Sequence, residues 1–214
     1  MSNARTLFSL LLVLIMLLTI GCTNKTALVK ESVPYPDSLH IILRQEWGWQ
    51  PYQTKMPPKQ TIRYITIHHG GVYFDPDSDA VKYIRHLQKW SREEKKWIDI
   101  PYHFMIDFKG HIYETRPLIY PGDTNTSYDP TGHALICVMG NFEEQVPGKQ
   151  QLQALINLTA FLADYFHVPL EKIKGHKDYA ETLCPGKNLY RYLQNGFIRK
   201  TVQQKLNKKS INVK

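Results

Sequence analysis

Short β-branched runs alternate along this chain with stretches whose apolar residues recur at helical spacing. Residues 63–69 (RYITIHH) are bounded by turn residues and predict a strand ending in His68-His69-Gly70-Gly71. From Asp79 to about Lys96, Val81, Ile84, Leu87 and Trp90 mark a helix, with Asp79 as its N-cap. Tyr102 to Asp107 reads as a second strand, Lys109-Gly110 as a turn, and His111 to Thr115 as the returning arm of a hairpin. Ala134 to Met139 is apolar throughout, the pattern of a central strand covered on both faces. Leu152, Leu155, Ile156, Thr159 and Leu162 mark another helix, closed by Val168-Pro169. A short element around Ile173 leads to Gly175-His176, and a last helix is expected over Leu189 to about Leu206. Strands interleaved with helices predict an α/β domain, a mixed central β-sheet flanked by helices.

The first residues follow a different pattern. Behind Arg5, an almost unbroken apolar run from Leu7 to Ile20 ends at Gly21-Cys22. It is shorter than the roughly 20 apolar residues of a comfortable membrane span, so it reads as a signal peptide. A small residue before a cysteine at this point resembles the bacterial lipobox, and the resemblance implies lipidation of Cys22. Thr19 departs from the aliphatic residue usual there. The expected organisation is a lipoprotein signal peptide over 1–21, a polar, proline-containing tether over 22–43, the folded domain over 44–206 and a basic tail over 207–214. Such a chain is exported and held to a membrane by its N-terminal lipid. Thr23 rather than Asp after the cysteine points, by the sorting pattern of Gram-negative cells, to the outer membrane facing the periplasm.

Composition narrows the partners. A hydrophobic fraction of 43% in 214 residues supports one domain with a sizeable core, expected as a monomer. The net charge of +8 favours anionic partners. The sequence has no arginine-rich helix and no aromatic RNP strand, so nucleic acid is not expected, and carboxylates or a membrane surface fit better. Of three cysteines, Cys137 lies in an apolar run and reads as a small buried hydrophobe, while Cys184 follows His176 in a ligand-like setting. Neither is expected in a disulfide.

His68 closes a strand, His176 follows Lys174-Gly175, and Cys184 comes eight positions later, before Pro185-Gly186. Two imidazoles and a thiolate suit zinc, and three protein ligands leave the fourth tetrahedral position to water, as in catalytic zinc sites. This spacing is no general zinc signature. Among nine histidines, a buried cysteine and hydrogen-bonded histidines are an equally open reading of the spacing alone.

Four blocks add specificity: Ile65 to His69, Ile98-Asp99-Ile100-Pro101-Tyr102-His103-Phe104, Gly140-Asn141-Phe142, and the ungapped run from Gly175 to Gly186. In this order they resemble the motifs of the type 2 N-acetylmuramoyl-L-alanine amidases, whose fold the peptidoglycan recognition proteins share. The resemblance covers about Trp47 to Tyr190. It implies that His68, His176 and Cys184 hold Zn2+, that Tyr102 is the active-site tyrosine and that Thr182 lies close to the metal. The implied activity is zinc-dependent hydrolysis of the amide between N-acetylmuramic acid and L-alanine, with peptidoglycan or muropeptides as substrate. Cys184 is the feature that separates enzyme from the alternative, a non-catalytic peptidoglycan-binding module of the same fold. Gly70 replaces the usual Thr or Ser, and Cys137 stands where recycling-type members carry an acidic residue, so no general base is assigned. A zinc peptidase acting within the stem peptide is less favoured, because no His-Glu-x-x-His helix is present. His69, one position on, alternates to the opposite face and reads as a packing residue. His103, His111 and His133 read as structural or surface residues.

Overall fold

The protein is described here by a computed structural model covering residues 33–212 apart from Gln53. The expected signal peptide, Cys22 and the start of the expected tether lie outside the described residues.

Among the described residues, six strands form one mixed sheet, in the order β1-β4-β3-β5-β2-β6. They are β1 (Ile41–Ile42), β2 (Tyr64–His69), β3 (Phe104–Ile106), β4 (Ile112–Glu114), β5 (His133–Val138) and β6 (Ile173–Gly175). Only β3 and β4 pair antiparallel; β1·β4, β3·β5, β2·β5 and β2·β6 are parallel. The apolar run expected as a central strand is β5, held between β3 and β2 and buried along its whole length. Four helices accompany the sheet: α1 (Ala80–Glu93), α2 (Lys149–Tyr165), α3 (Lys187–Gln194) and α4 (Phe197–Asn212). Asp79 caps α1 as expected, its side chain accepting the Lys82 N–H at 2.9 Å.

Strand alternation sorts the core into two layers. Ile65 and Ile67 of β2, Phe104 and Ile106 of β3, and Ala134, Ile136 and Val138 of β5 join Leu155, Leu158 and Leu162 of α2 and Ile198 and Val202 of α4. Met105 and Cys137, from the opposite face, join Trp47, Phe74, Ile100 and Ile84 of α1. Cys137 lies beside His68 in register, so both belong to the α1 face.

Two boundaries differ from expectation. Residues 33–43, expected within the tether, belong to the folded body: β1 pairs with β4, and Val33 and Tyr35 pack on the core. The Tyr35 hydroxyl donates to Glu114 at 2.9 Å, and Arg44 binds the same carboxylate at 3.2 Å. A buried carboxylate needs such partners, and this segment supplies one of them, Tyr35, beside Arg44 from the expected start of the domain. At the other end, the helix expected over 189–206 is two helices, broken at Asn195-Gly196, where Asn195 Oδ1 accepts the Phe197 N–H at 3.0 Å. Helix α4 continues through residues expected as a basic tail, and Lys209 pairs with Asp164 of α2 at 2.6 Å.

Candidate metal centre

Strands β2 and β6 are parallel neighbours, so their C-terminal ends open on the same edge of the sheet. In open α/β sheets this is where ligands collect. His68 sits at the end of β2 and His176 directly follows β6. Cys184 is returned to the same place by the turn after β6, where the Lys177 N–H donates to Cys184 O at 2.9 Å. Gly186 completes that turn at φ +85°, and a Cβ there would collide with the backbone of Phe142 and Glu143. Only glycine combines this dihedral with so close an approach.

One ligand atom from each of His68, His176 and Cys184 lies within 4.8 Å of the others. Cys184 Sγ is 3.6 Å from His68 Nδ1. Zinc bond lengths of about 2.05 Å to nitrogen and 2.3 Å to sulfur at a tetrahedral angle require about 3.6 Å between those atoms. The donor set and the His68–Cys184 separation therefore fit a zinc ion. Cys184 is half-buried as a residue, yet its sulfur is turned inward, where burial pushes the thiol up to about 12. The His69 N–H donates to that sulfur at 3.4 Å and favours its charged form. Burial holds His176 down at about 4 and His68 well below 6.5, so both rings are neutral and ready to bind a metal near pH 7. Cys137 and Cys184 are free thiols.

The far nitrogens of both rings are also held. Thr126 Oγ1 lies 2.8 Å and Thr124 Oγ1 3.5 Å from His176 Nε2, and the Tyr128 hydroxyl lies 3.4 Å from His68 Nε2. Ring nitrogens opposite a metal typically find such partners, which set tautomer and ring orientation. Sequence reasoning missed Thr124, Thr126 and Tyr128. Their segment has no periodicity, and its one signal is a polar, turn-rich stretch between two strands.

Tyr102 precedes β3 and its ring packs 5.2 Å, centroid to centroid, from His68. Its backbone oxygen accepts the Thr115 hydroxyl at 2.7 Å. Burial keeps its phenol protonated, well above pH 10. Thr182 Oγ1 accepts the Cys184 N–H at 3.2 Å, so its side chain shapes the ligand turn. His69 Nδ1 accepts the Phe142 N–H at 3.1 Å on the far side of the strand. His103 is structural: Nδ1 accepts the Leu135 N–H and Nε2 donates to Tyr120 O, each at 2.9 Å. Cys137 is a buried thiol raised by desolvation and in contact with the Tyr102 hydroxyl, so it supplies no carboxylate. Cys22 lies outside the described residues.

A family model for N-acetylmuramoyl-L-alanine amidase matches residues 58–187. Peptidoglycan recognition protein 1 of Mus musculus is 34% identical over 164 residues, spanning 72% of this chain and 86% of the mouse protein. Among solved structures, Drosophila peptidoglycan recognition protein SD is 29% identical, with a TM-score of 0.65 over 72% of this chain and 92% of that one. Human PGRP-IBETAC in complex with glycosamyl muramyl pentapeptide is 26% identical, with a TM-score of 0.64 over 72% and 94%.

Proposed function

Because the chain belongs to the N-acetylmuramoyl-L-alanine amidase family, which it shares with the peptidoglycan recognition proteins, we propose that it hydrolyses the amide joining N-acetylmuramic acid to L-alanine in peptidoglycan or its fragments, using zinc. The observation that carries this reading is the trio His68, His176 and Cys184, whose donor atoms lie within 4.8 Å of one another and which, among the described residues, forms a group of three. Zinc held there would polarise the scissile carbonyl and activate water.

The chain's own residues supply the rest. Tyr102, protonated and with its ring packed beside His68, donates a hydrogen bond to the oxyanion that develops on the carbonyl in this reading. Thr126 and Tyr128 hold the two imidazoles in one orientation. Thr182 supports the turn that presents Cys184. The basic surface draws the acidic substrate, and the sequence around Cys22 supports anchoring of the exported chain to a membrane by lipid.

The competing reading is a peptidoglycan-binding module that does not cut. It is favoured by the names of relatives such as the mouse and Drosophila recognition proteins, and by Cys137 at the position next to His68. Incubating the purified protein with muropeptides and analysing products by mass spectrometry decides between them. Release of stem peptides with a free L-alanine amino terminus, lost with a chelator and in Cys184→Ala, supports the amidase. Zinc uptake and muropeptide binding without release supports the binding module.

A further inference from the structure

Arg116 follows β4 and is 1% exposed. Its Nη1 donates to Pro121 O at 2.6 Å, and its Nη2 donates to Asp99 O at 2.8 Å and to Asp123 Oδ2 at 2.6 Å. These acceptors lie on two segments that both end at the metal centre. Asp99 to Pro101 leads directly into Tyr102. Pro121 to Asp129 carries Thr126 against His176 and Tyr128 against His68. The segments also touch each other, since the Asp123 N–H donates to Pro101 O at 3.2 Å. At Gly122 the approach is so close that a Cβ would collide with Pro101 O and Leu135. A planar guanidinium with its donors in a rigid fork can hold several acceptors in one arrangement, which a lysine cannot reproduce.

We propose that Arg116 is a positioning residue for the metal centre, fixing the loop 121–129 that orients His68 and His176 against the segment that presents Tyr102. The inference rests on the zinc-site reading above. Arg116 acts only through other groups. The 3.6 Å separation from Cys184 Sγ points to Nδ1 as the ligand atom of His68, and a ring held by one nitrogen needs a hydrogen-bond partner in a fixed place at the other; Tyr128 stands at Nε2 of His68, and Thr126 stands at Nε2 of His176. The Arg116–Asp123 pair determines where that loop begins.

The test measures zinc affinity by chelator competition, and the cobalt(II) absorption spectrum, on the full chain. The variants are Arg116→Lys, Asp123→Asn, Thr126→Val and the double variant Asp123→Asn/Thr126→Val. Asp123 keeps its size on conversion to asparagine and is partly exposed, so that variant reports even where Arg116→Lys fails to fold. Asp123→Asn and Thr126→Val should each weaken zinc binding about 10-fold and Arg116→Lys up to about 100-fold, with altered cobalt bands. The double variant should lose less than the product of the single effects, because both act on one path. A folded Asp123→Asn protein with wild-type affinity and spectrum, or a multiplicative double variant, overturns the inference. Wild-type protein that takes up neither metal overturns the zinc-site reading and this inference with it.

Discussion

Cys184 enters the metal-free pocket as a neutral thiol, because burial raises it to about 12. His176, at about 4, and His68, well below 6.5, carry no proton to lose at pH 7. Loading zinc at pH 7 should therefore release about one proton, that of the thiol. Calorimetry in buffers of different ionisation enthalpy measures this number, and zinc affinity should rise about tenfold per pH unit between roughly pH 5 and 8. A release of two or more protons would contradict the neutral histidines. Tyr102→Phe isolates the other chemical group. The ring still packs on His68, so zinc affinity should hold, while loss of the hydroxyl lowers kcat on muropeptides about 100-fold. An equal loss of zinc binding would assign Tyr102 to metal assembly instead. His68, His176 and Cys184 were legible in the sequence because they fall in specific blocks. Thr126 and Tyr128 were not: they reach the site from 50 and 60 residues away in the chain, and no spacing rule encodes such a contact.

Helix α1 with its Asp79 cap was legible from its 3.6-residue period, and strands β2 and β5 from short β-branched or wholly apolar runs, because all of these are local properties of the chain. The segment 33–43 was not, since a polar, proline-containing stretch has no period and its place is set by partners elsewhere. Tyr35 and Glu114, its clearest pair, are 79 residues apart. A chain begun at Arg44, at the boundary the sequence suggests, loses β1 and the Tyr35 bond to a buried carboxylate. That bond alone is worth about 2 kcal/mol, so thermal melting should fall by about 4–8 °C relative to a chain begun at Ser32. Unchanged melting would return this segment to the tether. The ligand turn is equally sensitive. Gly186→Ala should destabilise the protein by about 2 kcal/mol or more and, by displacing Cys184, weaken zinc binding. Melting and chelator competition on the same sample read both effects.

Buried imidazoles tie the stability of the whole molecule to pH. His103 is held at about 3 by burial, against 6.5 for a free histidine. The unfolded chain therefore binds a proton that the folded chain refuses between those values, and stability falls as pH drops from about 6.5 towards 3. The slope is about 1.4 kcal/mol per pH unit for each such histidine, and His133, lowered to about 4 by burial, acts in the same direction. Melting of metal-free protein across pH 4 to 7 should show a steady loss on the acid side, reduced in His103→Gln relative to its own value at pH 7. The parallel pairing of β2 with β6 has a consequence in time as well as in space. His68 and Cys184 are 116 residues apart, and the sheet edge between them is closed by the last strand. A growing or truncated chain that stops before β6 contains most of the sheet yet only one of the three ligands. An unfinished molecule thus lacks the candidate metal centre, whose three ligands come together only with about the last fifth of the polypeptide.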